Sequence, residues 1–133
     1  MADLTLVPEV SENDISRPTN SNLSALQYTS VKLDTSEEVV AAVSGSKSIG
    51  ILQDAPNGTS TEKTATVRVA GLSKLKLGGT VAMGEYLKSD AAGKGIAVTA
   101  DNDEIMAMAL TSGDNNDLIA VIIVHAKNTN AAA

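Results

Sequence analysis

The stretch VAMGEYLKSDAAGKGIAV, residues 81–98, is this chain's nearest approach to a nucleotide-binding loop. A P-loop needs G-x-x-x-x-G-K-[ST], in which backbone amides cradle the phosphates and the final hydroxyl ligates magnesium. Here Gly93-Lys94 runs into Gly95, and the position five before Gly93 is Lys88. The segment reads instead as a turn between strands, shaped by Asp90, Gly93 and Gly95 with Lys94 at a solvated tip. The one histidine, His125, has no serine or cysteine that spacing nominates as a triad partner. It reads as an edge or interface residue, at most a pH-sensitive contact. ADNDE (100–104) and SGDNND (112–117) echo calcium-loop spacing. However, Ile105 is apolar where the first pattern should continue, and its glycine is missing. Both read as turns, whose acids stay solvated and so make poor acid/base pairs. Asn22-Leu23-Ser24 and Asn57-Gly58-Thr59 match the glycosylation sequon but follow no secretory signal. The chain reads as a non-enzyme with no metal and no cofactor.

Composition narrows the remaining classes. Ten Lys plus Arg stand against sixteen Asp plus Glu, a net charge of −6. That balance opposes nucleic acid, which demands basic stripes, and anionic membrane surfaces. Cysteine is absent, which excludes disulfides, a thiol nucleophile and zinc–thiolate sites. The longest apolar run, LIAVIIV at 118–124, is far shorter than the roughly 20 residues needed to span a bilayer. The expectation is a soluble product of the cytosol. There is no Phe or Trp, and Tyr28 and Tyr86 are the only aromatics. A core of Val, Ile, Leu, Ala and Met alone is thin, and association with other subunits is a natural way to cover more apolar surface.

The elements follow from patterning. Residues 1–25 hold Pro8 and Pro18, a polar RPTNSN run, and scattered apolar residues at Leu4, Leu6, Val7, Val10, Ile15 and Leu23. Proline removes a donor and extends its predecessor. An extended N-terminal arm is expected, with those six residues as its anchors on a partner, followed by a compact β domain over 26–133. Strand signals lie at 26–33, 48–53, 64–77, 80–87, 95–100, 104–111 and 117–126. Residues 34–45 are ambiguous: Thr35 and Glu38 have capping-box spacing, while Val39, Val40 and Val43 suit a strand. In TATVRVAGLSKLKL (64–77) the apolar and polar residues alternate around Gly71, which reads as a bend or bulge. In EIMAMAL (104–110) the small alanines share a face that admits another layer. In 118–126 both faces are apolar, so both should be covered. Ile119, Val121, Ile123 and His125 are the subunit-interface candidates. The class is all-β: a small antiparallel sandwich or jelly roll, or a tulip-like barrel.

Three stretches carry a resemblance: GILQDAPNGTSTEKTATVRVAGLSKLKLGG, then TVAMGEYLKSDAAGKGIAVTA with its G-x-Y-L-x-S-D-x-x-G core, then EIMAMALTSGDNNDLIAVIIV. Across Gly50 to His125, this order of strands and turns resembles the capsid cement (decoration) proteins of tailed bacteriophages. The resemblance implies a homotrimer on the outer surface of a phage head. It would bind the major capsid protein at three-fold or quasi-three-fold positions and reinforce the shell. It implies no catalytic residues. The competing reading is a virion-attached receptor-binding or head-fibre β module.

Overall fold

The computed structural model describes residues 13–100 and 102–128, which form ten strands and no helix. They are β1 (Asp14–Pro18), β2 (Ser30–Leu33), β3 (Val39–Ala41), β4 (Gly50–Leu52), β5 (Thr64–Arg68), β6 (Leu72–Lys76), β7 (Tyr86–Ser89), β8 (Gly95–Ala97), β9 (Glu104–Ala109) and β10 (Leu118–Lys127). The chain fills one five-stranded sheet, β1-β5-β4-β2-β3, and then a second, β6-β10-β9-β7-β8. Every strand pairing is antiparallel. The all-β expectation holds: two antiparallel sheets, neither closed into a barrel.

The alternating run at 64–77 spans the crossing. β5 ends in the first sheet and β6 begins in the second, with Gly71 at φ 84° between them. A left-handed backbone costs glycine nothing and other residues more. The Gly71 carbonyl is then free to accept the Ile123 amide at 2.8 Å. The capping-box spacing at Thr35 and Glu38 opens no helix. Asp34 accepts the amides of Ser36 (2.8 Å) and Glu38 (2.9 Å), which folds the link between β2 and β3 into a tight turn. A short polar side chain bonding its own backbone competes with helix in this way.

Each sheet curls until its edges approach. Thr19 Oγ1 donates to the Val39 carbonyl at 2.8 Å, and the Arg17 guanidinium reaches the Glu37 carbonyl at 3.1 Å. These side chains bridge the β1 and β3 edges. In the second sheet, Leu77 and Gly95 form a single bridge between the β6 and β8 ends. Two cores result. One gathers Leu23, Val31, Val39, Leu52, Ala65 and Val67. The other holds Leu75, Leu77, Leu87, Ala107, Ile119, Val121 and Ile123, with Ile51 joining them from the first sheet. β4 is therefore buried along its length: Leu52 serves one core and Ile51 the other. Gly50 is the tightest point, because a Cβ there would lie 2.1 Å from the Arg68 carbonyl oxygen.

The expected arm boundary at residue 25 falls inside the body. β1 pairs with β5 from Asp14↔Arg68 to Pro18↔Thr64. The Arg68 guanidinium grips Asp14 through two bonds, of 2.7 and 3.2 Å. That bond is the main reason the Arg68 pKa is raised, against partial burial which lowers it. Leu23 is 1% exposed, and its amide donates to the Pro56 carbonyl at 2.8 Å. It is a core residue, so its expected role as a partner anchor is corrected.

Candidate interaction surface

The polar groups that spacing singled out are engaged in shaping turns. Asp90 Oδ1 accepts the amides of Ala92 and Lys94 at 2.8 and 2.9 Å, closing the loop whose Gly93 sits at φ 81°. The Gly93 carbonyl accepts the Ser30 amide at 2.7 Å, which pins this hairpin onto the first sheet. Lys94 Nζ donates to Asn116 Oδ1 at 2.8 Å instead of crowning a phosphate cradle. Asp114 and Asp117 form a turn in which the Asp114 amide donates to Asp117. His125 Nε2 donates to the Val69 carbonyl at 2.6 Å, and among the described residues it has neither a hydroxyl nor a carboxylate partner. Among the described residues, no three His, Cys, Asp or Glu side chains come together as a metal site.

Asp103 shows how such acids are used. Its carboxylate accepts Ala100 N–H (2.8 Å), Thr99 N–H (3.1 Å) and Lys88 Nζ (3.0 Å). The Ala100 bond is the chief reason its pKa is lowered, Lys88 and Thr99 add to the shift, and partial burial opposes it. A folded pKa below the unfolded value of about 3.9 means the ionised form stabilises the fold fully above that value. The contribution fades as pH falls through the folded pKa. Asp103→Asn is therefore expected to lower the urea midpoint at neutral pH. The gap from the unsubstituted protein should close as the buffer is acidified, and a gap that ignores pH would contradict this role.

The surface best fitted to a partner is the outer face of the second sheet. Register fixes it: Leu72 on β6 opposes Ile122 on β10, Ile122 opposes Met108 on β9, and Met108 opposes Tyr86 on β7. Directly opposed residues share a face. These four side chains thus form one apolar row across four strands. Leu72 is 62% exposed, Tyr86 50% and Ile122 37%. Leu118 and Ala120 extend the patch along β10, opposite Lys76 and Lys74. Isolated exposed apolar residues are ordinary on a monomer, whereas a contiguous patch marks an interaction site.

Three of the interface candidates are core residues instead. Ile119, Val121 and Ile123 point into the second core, with Val121 fully buried. They hold the sheet together and cannot meet another subunit. The intervening residues Leu118, Ala120 and Ile122 face outward, so within the chain one face of this strand is covered and the other is open. His125 is exposed, within the register shift between Ile123 and Ala126. Of the arm anchors, Ile15 lies on edge strand β1 opposite Val67 and is partly exposed. Leu4, Leu6, Val7 and Val10 lie outside the described residues. A signal for the missed face was present in β6: Leu72 shares strand parity with Lys74 and Lys76, opposite to Ser73 and Leu75.

No protein-family model matches the chain, and no curated protein matches it. Among solved structures, the chain is similar to the N base of the head fiber protein gp8.5 in bacteriophage phi29. The TM-score is 0.66 at 11% identity, over 88% of this chain and 98% of that one. At this identity the likeness shows a shared fold: this chain has the fold of that phage head-fiber base.

Proposed function

We propose that this chain is a structural protein of a bacteriophage head. It sits on the outer surface of the capsid, contacts the major capsid protein, associates as a homotrimer, and cements the shell lattice. The observation that supports this most is the likeness of fold to a phage head-fiber base over nearly all of both chains. The physical reading agrees with it. The polar residues hold turns, and the second sheet leaves an apolar face open to neighbouring copies. Leu4, Leu6, Val7 and Val10 are the arm anchors on the capsid, with Ile15 where the arm joins the sheet. Three arms on one trimer bind multivalently, so modest contacts per arm give slow release.

A second reading, the base of a head fiber, is favoured by the same likeness, because that neighbour is by name a fiber base. The two readings share attachment to the head and differ in what attachment does. Heads stripped of the protein and then resupplied with it separate them. A cement raises the temperature at which heads release DNA, whereas a fiber base binds and leaves that temperature unchanged. Failure to bind heads at all would end both readings.

A further inference from the structure

A lysine amine, an asparagine amide and a glutamate carboxylate meet where β1 ends. Thr19 follows that strand, and its amide donates to the Lys63 carbonyl at 2.9 Å, so Lys63 stands opposite the strand's exit. The Thr19 hydroxyl holds the Val39 carbonyl at 2.8 Å, which brings the start of β3 alongside. Asn20 is therefore flanked by Lys63 from the β5 side and by Glu38 from the β3 side. Lys63 Nζ donates to Asn20 Oδ1 at 3.3 Å, and Asn20 Nδ2 donates to Glu38 Oε2. The Gly58 carbonyl steers the amine further, accepting from Nζ at 2.5 Å. The loop carrying Gly58 is itself fixed, because the Gly58 amide donates to the Ser21 carbonyl at 2.8 Å. A Cβ on Gly58 would lie 2.6 Å from the Thr19 carbonyl oxygen, so only glycine lets this loop press on the strand.

We infer that these three residues make a covalent Lys63–Asn20 isopeptide bond, with Glu38 as its general acid–base. No disulfide can staple a chain without cysteine, whereas an amide made from lysine and asparagine needs no oxidant. After losing a proton to solvent, the Lys63 amine places its lone pair on Asn20 Cγ and forms the Cγ–Nζ bond. Glu38 takes the proton that Nζ then sheds and delivers it to Nδ2. The Cγ–Nδ2 bond breaks, and ammonia leaves with the electron pair. Nζ already touches the oxygen borne by the carbon under attack. Reacting groups held at about 3–3.5 Å reach effective concentrations of about 10⁵–10⁸ M, which an amine and an amide free in water never meet. The product locks β1, an edge strand paired with β5 alone, to the residue that precedes β5. It closes a loop between positions 43 apart in sequence, and such a cross-link stabilises chiefly by restricting the unfolded chain. This goes beyond the proposed function and is tested without phage heads, so either can fail alone.

The test incubates the purified full chain in mildly alkaline buffer, which supplies the neutral amine, and follows its intact mass. Trypsin digestion then locates any cross-link. The expected result is a chain lighter by one ammonia, giving a branched peptide whose fragmentation joins Lys63 to Asn20. Lys63→Arg keeps the positive charge but has no attacking amine, so that chain keeps its full mass. Glu38→Gln still accepts a bond from Nδ2 but cannot shuttle a proton, and it forms the cross-link about 10²–10⁴-fold more slowly. Lys63 is exposed and Glu38 half-buried, so both variants fold, which circular dichroism checks. An unsubstituted chain that keeps its full mass would overturn the inference, whatever the variants do. So would ammonia loss that persists in Lys63→Arg, which places the loss in a succinimide at a step such as Asn57-Gly58. Equal rates in Glu38→Gln and the unsubstituted chain would overturn the role of Glu38.

Discussion

Removing residues 1–12 leaves a folded body that no longer stays on phage heads, whereas removing residues 1–20 collapses the first sheet. The contrast follows from where the chain joins that sheet. Residues 1–12 precede β1, and Leu4, Leu6, Val7 and Val10 are the proposed anchors on the capsid. Deleting residues 1–20 also removes β1, its Asp14–Arg68 pairing and the Thr19 bridge to β3. Arg68 is then left partly buried without its carboxylate, and Ala65 and Val67 lose a neighbouring strand. Breaking a paired charge in a partly buried setting and stripping an edge strand together cost several kcal/mol, out of a total of about 5–15 for a domain. Loss of three arms from a trimer lowers avidity by about 10²–10⁴. Circular dichroism and sedimentation with heads read the two effects separately. A 13–133 chain that still saturates heads would refute the arm's role.

Val121→Asp unfolds the protein, while its neighbour Ile122→Asp leaves the fold intact and abolishes self-association. Val121 is fully buried in the second core, so an aspartate there is either a buried unpaired charge or a forced protonation, each costing several kcal/mol. Ile122 faces outward in the row with Leu72, Met108 and Tyr86, and its substitution forfeits at most a cross-strand contact of about 0.2–1 kcal/mol. At an interface the same aspartate faces apolar groups of the partner and is desolvated without compensation. Urea midpoints combined with sedimentation distinguish the outcomes. If both variants fold and associate normally, the assignment of faces is wrong.

The strands were legible because turn residues punctuate them, and Gly71 marked the crossing between sheets as a bend should. What could not be read was which side of β10 faces inward. Both sides are apolar, so parity along that strand carries no sign. The decision comes from β6, where Lys74 and Lys76 alternate with Ser73 and Leu75, and from a register that pairs Ile119 with Leu75. That information is tertiary. β1 was hidden for a different reason: Pro18 and a polar composition argue against a strand. In the structure the Thr19 amide bonds Lys63, and bonding alternates along the pair, so the missing Pro18 donor points to the open edge and costs nothing. Leu23 lies in a stretch without period, and only the closing of the first sheet buries it. Residues 80–85 were expected in a strand, yet only Val81 bridges, to Gly113, before β7 begins at Tyr86. The turn residues around Asp90 and Asp114 were read correctly because their chemistry is local.

Sedimentation velocity of the purified full chain, alone and mixed with heads that lack it, bears most directly on the claim that an open apolar sheet face joins copies of this protein on a viral shell. The account predicts a trimer in solution that moves with the heads, and an Ile122→Asp variant that sediments as a monomer. An unsubstituted chain that runs as a monomer at all concentrations, and stays behind when the heads pellet, would contradict it.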